Sequence, residues 1–173
     1  MPVEDSERAA AWAQIRQFGD PVLKEKSHQA QVDEDLRALV DRMIRIMDGA
    51  EGVGLAAPQI GVLRRVIVFR LDKELNVLVN PEITWRSEET VRDDEGCLSL
   101  ASLATQVERA EKVRVEGEDL DGKHRVYELK GLKARILQHE IDHLEGMMII
   151  DRASREGRKD LLARLSRTKQ PGE

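Results

Sequence analysis

Two of the chain's four histidines, His139 and His143, stand four residues apart in "LQHEIDHLEG", with Glu140 beside the first. On a helix such residues lie one turn apart on the same face, so both imidazoles can reach one cation. Glu140 leans over the edge of that face, where it can take a proton from an activated water instead of occupying a coordination position. Two histidines do not hold a catalytic metal alone; a third protein ligand is needed, with one position left for water. Cys97, the only cysteine, sits in "DDEGCLSL". Its segment leaves two readings open, a buried packing residue or the third ligand. As a ligand it would be a thiolate, kept deprotonated by the metal.

A Cys-His-His site would bring the pKa of a water toward about 7, and such a water attacks carbonyls. With Glu140 passing the proton to a leaving amine, hydrolysis of an amide or formamide is the natural reaction. The tetrahedral intermediate needs donors for its oxyanion. Gln59, ending a glycine-rich stretch, and the N–H of Leu98, adjacent to Cys97, are the candidates. A rival reading makes Cys97 a nucleophile paired with a histidine.

These groups need elements to hold them. "GLKARILQHEIDHLEG" has helical period, with Leu132, Ile136, His139, Glu140 and His143 near one face and Gly146 past the end. A second amphipathic helix follows Asp33 through Leu36, Leu39, Val40, Met43, Ile44 and Met47, with Asp33 or Asp35 as N-cap and Gly49 as stop. Between them, "EGVGLAAPQIG" has too much glycine and proline for an ordinary helix, and its missing bulk implies close approach to the backbone. "RRVIVFRL", "NVLVNPEITW" and "KVRVEGEDLDGKHRVYEL" read as strands, the last as two around Asp121-Gly122. "SREGRKDLLARL" is a short helix capped by Ser154, and residues 1–13 are a polar lead-in, frayed or loosely helical. The pattern is α+β: antiparallel or mixed sheets around a central metal-binding helix, with an N-terminal amphipathic helix and a C-terminal helix.

At 173 residues, 40% hydrophobic and 35% charged, the chain suits one domain spanning 1–173 and no membrane segment. Acidic residues near the start suit neither a secretory nor an organellar leader, so a cytoplasmic location is expected. The net charge of −5 excludes an overall basic footprint for nucleic acid. However, residues 152–170 carry seven Lys or Arg against two acids. This basic tail, within 153–173, is either a solvated helix face or a contact surface for an acidic partner.

Three segments, "GVGLAAPQ", "EGCLS" and "QHEIDH", together resemble the peptide deformylases, in that family's order and over a likeness from about Ile15 to Arg152. The resemblance implies Cys97, His139 and His143 as metal ligands, Glu140 as acid/base, and Gln59 with the Leu98 amide as oxyanion donors. It implies one divalent ion, physiologically Fe2+, with Zn2+, Ni2+ or Co2+ as alternatives. The implied substrate is the N-formylmethionine of a nascent chain, lying as an added strand beside Val53 and Gly54, its side chain in a pocket near Gly96, Leu132 and Ile136. Glu95 and Arg109 would form an ion pair holding the Cys97 loop. The tail resembles a helix with which some members dock at the ribosome, and a monomer is expected. Leu100 to Leu103 depart from the apolar-Pro-Gly common after "EGCLS", which implies a reshaped outer cleft. That departure motivates a second reading, an amidohydrolase for another N-formyl group, and the tail motivates a third, a non-catalytic ribosome-associated module.

Overall fold

The computed structural model describes residues 4–168. Residues 1–3 of the lead-in, and Lys169 and Gln170 of the basic tail, lie outside the described residues. β-branched runs pair first with their neighbours in sequence. Val66–Leu71 (β2) and Glu74–Arg86 (β3) form a hairpin whose turn residues, Asp72 and Lys73, sit at φ 50° and 71°. Two-residue turns of that hand match the twist of the strands they join. Lys112–Glu118 (β6) and His124–Lys130 (β7) form a second hairpin around Asp121-Gly122. With the short Gly54–Ala56 (β1), they make an antiparallel sheet of order β1-β2-β3-β6-β7, which leaves β1 on an edge.

The apolar run of β2 alternates between two helices. Val66 and Val68 meet Leu36, Val40, Met43 and Met47 of helix α2 (Glu34–Gly49). Ile67 and Phe69 meet Ala134, Leu137, Ile141 and Leu144 of helix α3 (Gly131–Leu144). A strand covered on both faces has no polar side to show, which is why "VIVF" is unbroken. Asp33 is the cap of α2, its Oδ1 accepting from the Leu36 N–H at 2.8 Å.

Among the described residues all strand pairs are antiparallel, one of the two arrangements expected, and one isolated parallel bridge joins His28 and Arg64. Two features differ from the sequence reading. The lead-in contains a formed helix, α1 (Asp5–Trp12), with Ala11 buried against α2 at Gly49. Thr90–Gly96 (β4) and Ala104–Ala110 (β5) form a separate two-stranded hairpin that the charged "TVRDDEG" does not announce. The chain ends in α4 (Ile149–Arg152) and α5 (Arg155–Leu165), the latter capped by Ser154, whose Oγ accepts from Gly157 N–H. Leu161 of α5 is buried in a cluster with Cys97, Leu100, Val107 and Ile149. No helix among the described residues is long and apolar enough to cross a membrane.

Candidate metal centre

Cys97 directly follows the β4 strand, ahead of the 3-10 turn Leu98–Leu100, and reaches α3 across the gap between hairpin and helix. Its Sγ lies 3.5 Å from His143 Nε2, which lies 3.3 Å from His139 Nε2. All three residues are buried, and their ligand atoms lie within 4.8 Å of one another. Sulfur and nitrogen donors about 2.0–2.3 Å from one tetrahedral ion stand about 3.3–3.6 Å apart, so the set fits a single cation. Burial drives His143 well below the ordinary imidazole value, whereas at His139 burial is outweighed by hydrogen bonds to Cys97 and Glu95, which raise it.

The Glu95–Arg109 pair expected from the sequence is present: Arg109 Nη2 donates to Glu95 Oε1 at 2.7 Å and Nε to Oε2 at 3.1 Å. Glu95 does more than hold its loop, because its Oε1 also stands 2.6 Å from His139 Nδ1. A carboxylate there fixes the ring so that Nε2 faces the cluster. Burial opposes the charge on Glu95, but His139 and Arg109 outweigh it and hold the carboxyl at about 2. Asp142 takes Arg109 from the far side and also binds Arg152 at 2.9 and 3.0 Å. Arg135 Nη1 donates to Glu95 Oε2 at 2.9 Å and to the Val107 carbonyl at 2.8 Å, and Nη2 donates to the Val91 carbonyl at 2.8 Å.

Glu140 is buried, with Oε2 free of any hydrogen-bond partner among the described residues. Burial pushes its carboxyl up to about 7, with Glu95 adding to the rise. A Cβ on Gly54 would stand 2.5 Å from Glu140 Oε1, and one on Gly52 would stand 2.9 Å from Leu98 Cδ1. The close approach to the backbone that the missing bulk of the glycine-rich stretch implied is thus made, at Gly52 and Gly54, by the protein's own side chains. Gln59 Oε1 accepts from the Ala56 N–H at 3.0 Å, which turns Nε2 toward Ser99 Oγ at 3.1 Å and Cys97 Sγ at 3.9 Å. Leu98 opens a 3-10 turn, Leu98–Leu100, a position whose N–H no intrahelical carbonyl can take.

A cleft of about 280 Å³ opens onto this cluster. Val53, Gly54, Gly96, Leu132 and Ile136 all line it, with Cys97, His139 and Glu140 on its wall and Ser102 from the departing loop. His143 lies behind them. A larger surface hollow, about 770 Å³ beside Trp85 and Arg114, contains none of these residues. Sequence reasoning missed Arg135, Asp142, Arg152 and Ser99. The available signal was weak: Arg135 lies one helical turn before His139, the same spacing that singled out His143.

Structural metal sites close all four positions with protein, whereas catalytic ones keep one open. Three donors converging from helix and hairpin, two of them on the wall of a cleft, match the second kind, and with the H-E-x-x-H helix the arrangement is that of the metal-dependent hydrolases. Residues 12–159 match the family described as polypeptide deformylase. The peptide deformylase of Dictyoglomus thermophilum is 46% identical over 144 residues, covering 83% of this chain and 94% of that protein. That of Thermodesulfovibrio yellowstonii is 47% identical over 147 residues, covering 82% and 88%. The crystal structure of a peptide deformylase from Synechococcus elongatus in complex with actinonin has a TM-score of 0.84 at 34% identity, covering 92% of this chain and 88% of that one. The chain belongs to the polypeptide deformylase family.

Proposed function

We propose that the chain removes the formyl group from nascent peptides that begin with N-formylmethionine, releasing formate, with Cys97, His139 and His143 holding one divalent ion. The observation that carries this reading is the buried Glu140 carboxylate with a partnerless oxygen, in a cleft shared with two of the candidate ligands. The bound ion supplies Lewis acidity, which lowers the pKa of a water and polarises a formyl carbonyl. Glu140 accepts the attacking water's proton and returns it to the departing amine, a double task helped by burial, which raises its carboxyl above the ordinary range. Gln59 Nε2 and the Leu98 N–H donate to the developing oxyanion; Ala56 and Ser99 fix the amide before substrate arrives.

The free edge of β1 supports the peptide's binding as an added strand beside Val53 and Gly54. Gly96, Leu132 and Ile136 line the pocket for the methionine side chain. Fe2+ as the physiological ion rests on the resemblance to the family; the cysteine and imidazole donors equally admit Zn2+, Ni2+ or Co2+. The protein acts as a cytoplasmic monomer. Its α5 helix docks at the ribosome, a reading supported by Arg155, Lys159 and Arg167, which make no ion pair among the described residues while Leu161 anchors the helix.

Formate release from a formyl-methionyl tripeptide tests the reaction. Glu140→Ala is expected to keep stoichiometric metal and lose turnover by at least about a hundredfold. Turnover that survives the substitution overturns Glu140 as the acid/base, and no formate release by the metal-loaded wild type overturns the function. Co-sedimentation with ribosomes that is unchanged when Arg155, Lys159 and Arg167 are replaced by Glu overturns the docking role.

A further inference from the structure

The hairpin that carries Cys97 and the helix that carries both histidines belong to different layers, and their spacing decides whether the donors meet. A two-stranded hairpin alone has marginal stability, so its place must be set by what it docks against. Arg109 is part of the hairpin and grips Asp142 on α3. The reverse grip comes from Arg135, on α3 one turn before His139, which is 7% exposed. Its guanidinium reaches the carbonyl of Val91 on β4, the carbonyl of Val107 on β5 and the Glu95 carboxylate that orients His139. One rigid fork therefore touches both strands of the hairpin and the group that turns a ligand's ring.

We propose that Arg135 is a positioning residue for the metal centre, fixing the Cys97 hairpin at the distance from α3 at which sulfur and both imidazoles share one ion. This rests on the metal-site reading given above. It requires a planar group with several donors in fixed directions; a lysine offers one compact ammonium and cannot bind both strands and Glu95 in the same geometry. Arg135 reaches the wall of the cleft but bonds none of the three donor atoms, and it acts on them through Glu95 and through the backbone on which Cys97 stands.

The test is Co2+ binding, read by chelator competition and by the visible absorption of tetrahedral cobalt with a thiolate ligand. Arg65→Gln is the control: Arg65 is equally buried, bonds Glu145 and the Pro81 carbonyl, and lies outside the hairpin contact. Arg135→Gln is expected to bind Co2+ roughly tenfold more weakly, with altered bands; Arg135→Lys is expected to recover part of the loss, and Arg65→Gln to leave both readouts at wild type. Wild-type affinity and spectrum in a folded Arg135→Gln overturn the proposal, as does an equal loss in Arg65→Gln, which would mark a general effect of destabilisation. Should Arg135→Gln not fold, Arg135→Lys decides, and wild-type binding by it overturns the fork. Failure of the wild type to bind Co2+ overturns the metal-site reading itself, a result distinct from each of the others.

Discussion

Helix α3 is held on two sides by different physics. Toward the sheet it presents Ala134, Leu137, Ile141 and Leu144, packed on Ile67, Phe69 and Leu78. Toward the hairpin it presents Arg135, His139 and Asp142, engaged with Glu95, Arg109 and the hairpin carbonyls. The apolar side decides where the helix lies, because burial of hydrocarbon is large and non-directional. The charged side decides where its ligands point, because hydrogen bonds between ions fix angles as well as distance. Non-directional burial and directional bonding are thus separated onto opposite faces of one helix.

The largest expected effect breaks the charged face. Arg109→Met leaves Glu95 and Asp142 buried with fewer partners, and removing one member of a buried pair costs about 3–5 kcal/mol. Leu137→Met, a volume-conserving change on the other face, is expected to cost under about 1.5 kcal/mol. Urea denaturation of the two variants checks the contrast; equal losses would mean that the faces do not differ in tolerance.

The next effect separates the faces by pH. Glu95 is held at about 2 in the folded protein against 4.5 for a free glutamate. Its contribution is therefore complete above about pH 4.5 and is lost as pH falls toward about 2, about 3 kcal/mol across the whole window. The apolar face has no such dependence. In metal-free protein, stability should fall more steeply between pH 5 and pH 3 in the wild type than in Glu95→Gln, although the variant starts lower. Parallel slopes would remove Glu95 from the acid limb.

The same contrast explains what the sequence made legible. Apolar patterning placed both major helices, the four long strands and one of their two hairpins, because a face that must avoid water repeats with the element's own period. The ligands on α3 were legible from spacing alone, since His139 and His143 share a helix. Cys97 was not, because it arrives from another layer, and its segment read equally well as packing. The β4–β5 hairpin was invisible for a related reason: its exposed, charged strand has little apolar alternation, and it is docked by bonds from Arg135 to carbonyls, which every residue type possesses. A buried arginine is written with the same letter as a solvated one, so the network became apparent only when the folded chain brought its members together.

The smallest expected effect lies in the loop joining the two strands of the charged side. Ala101 and Ser102 adopt φ 51° and 60°, a left-handed conformation that costs a residue with a Cβ roughly 1 kcal/mol or more. The loop is held there at its middle: the Ala101 N–H donates to Gln17 Oε1 at 3.1 Å, and Leu100 is buried beside Cys97. Glycine at 101 removes the Cβ penalty but gives the unfolded chain more freedom, an offset of about 0.4–1 kcal/mol. The balance favours Ala101→Gly by about 0.5 kcal/mol, read as a rise in Tm of about 1–2 °C. If the charged contacts alone aim the ligands, Co2+ affinity should stay unchanged in this variant. A loss of affinity alongside the gain in Tm would show that the strained loop helps to aim Cys97, and the aiming contacts of the charged side would then have to include the backbone.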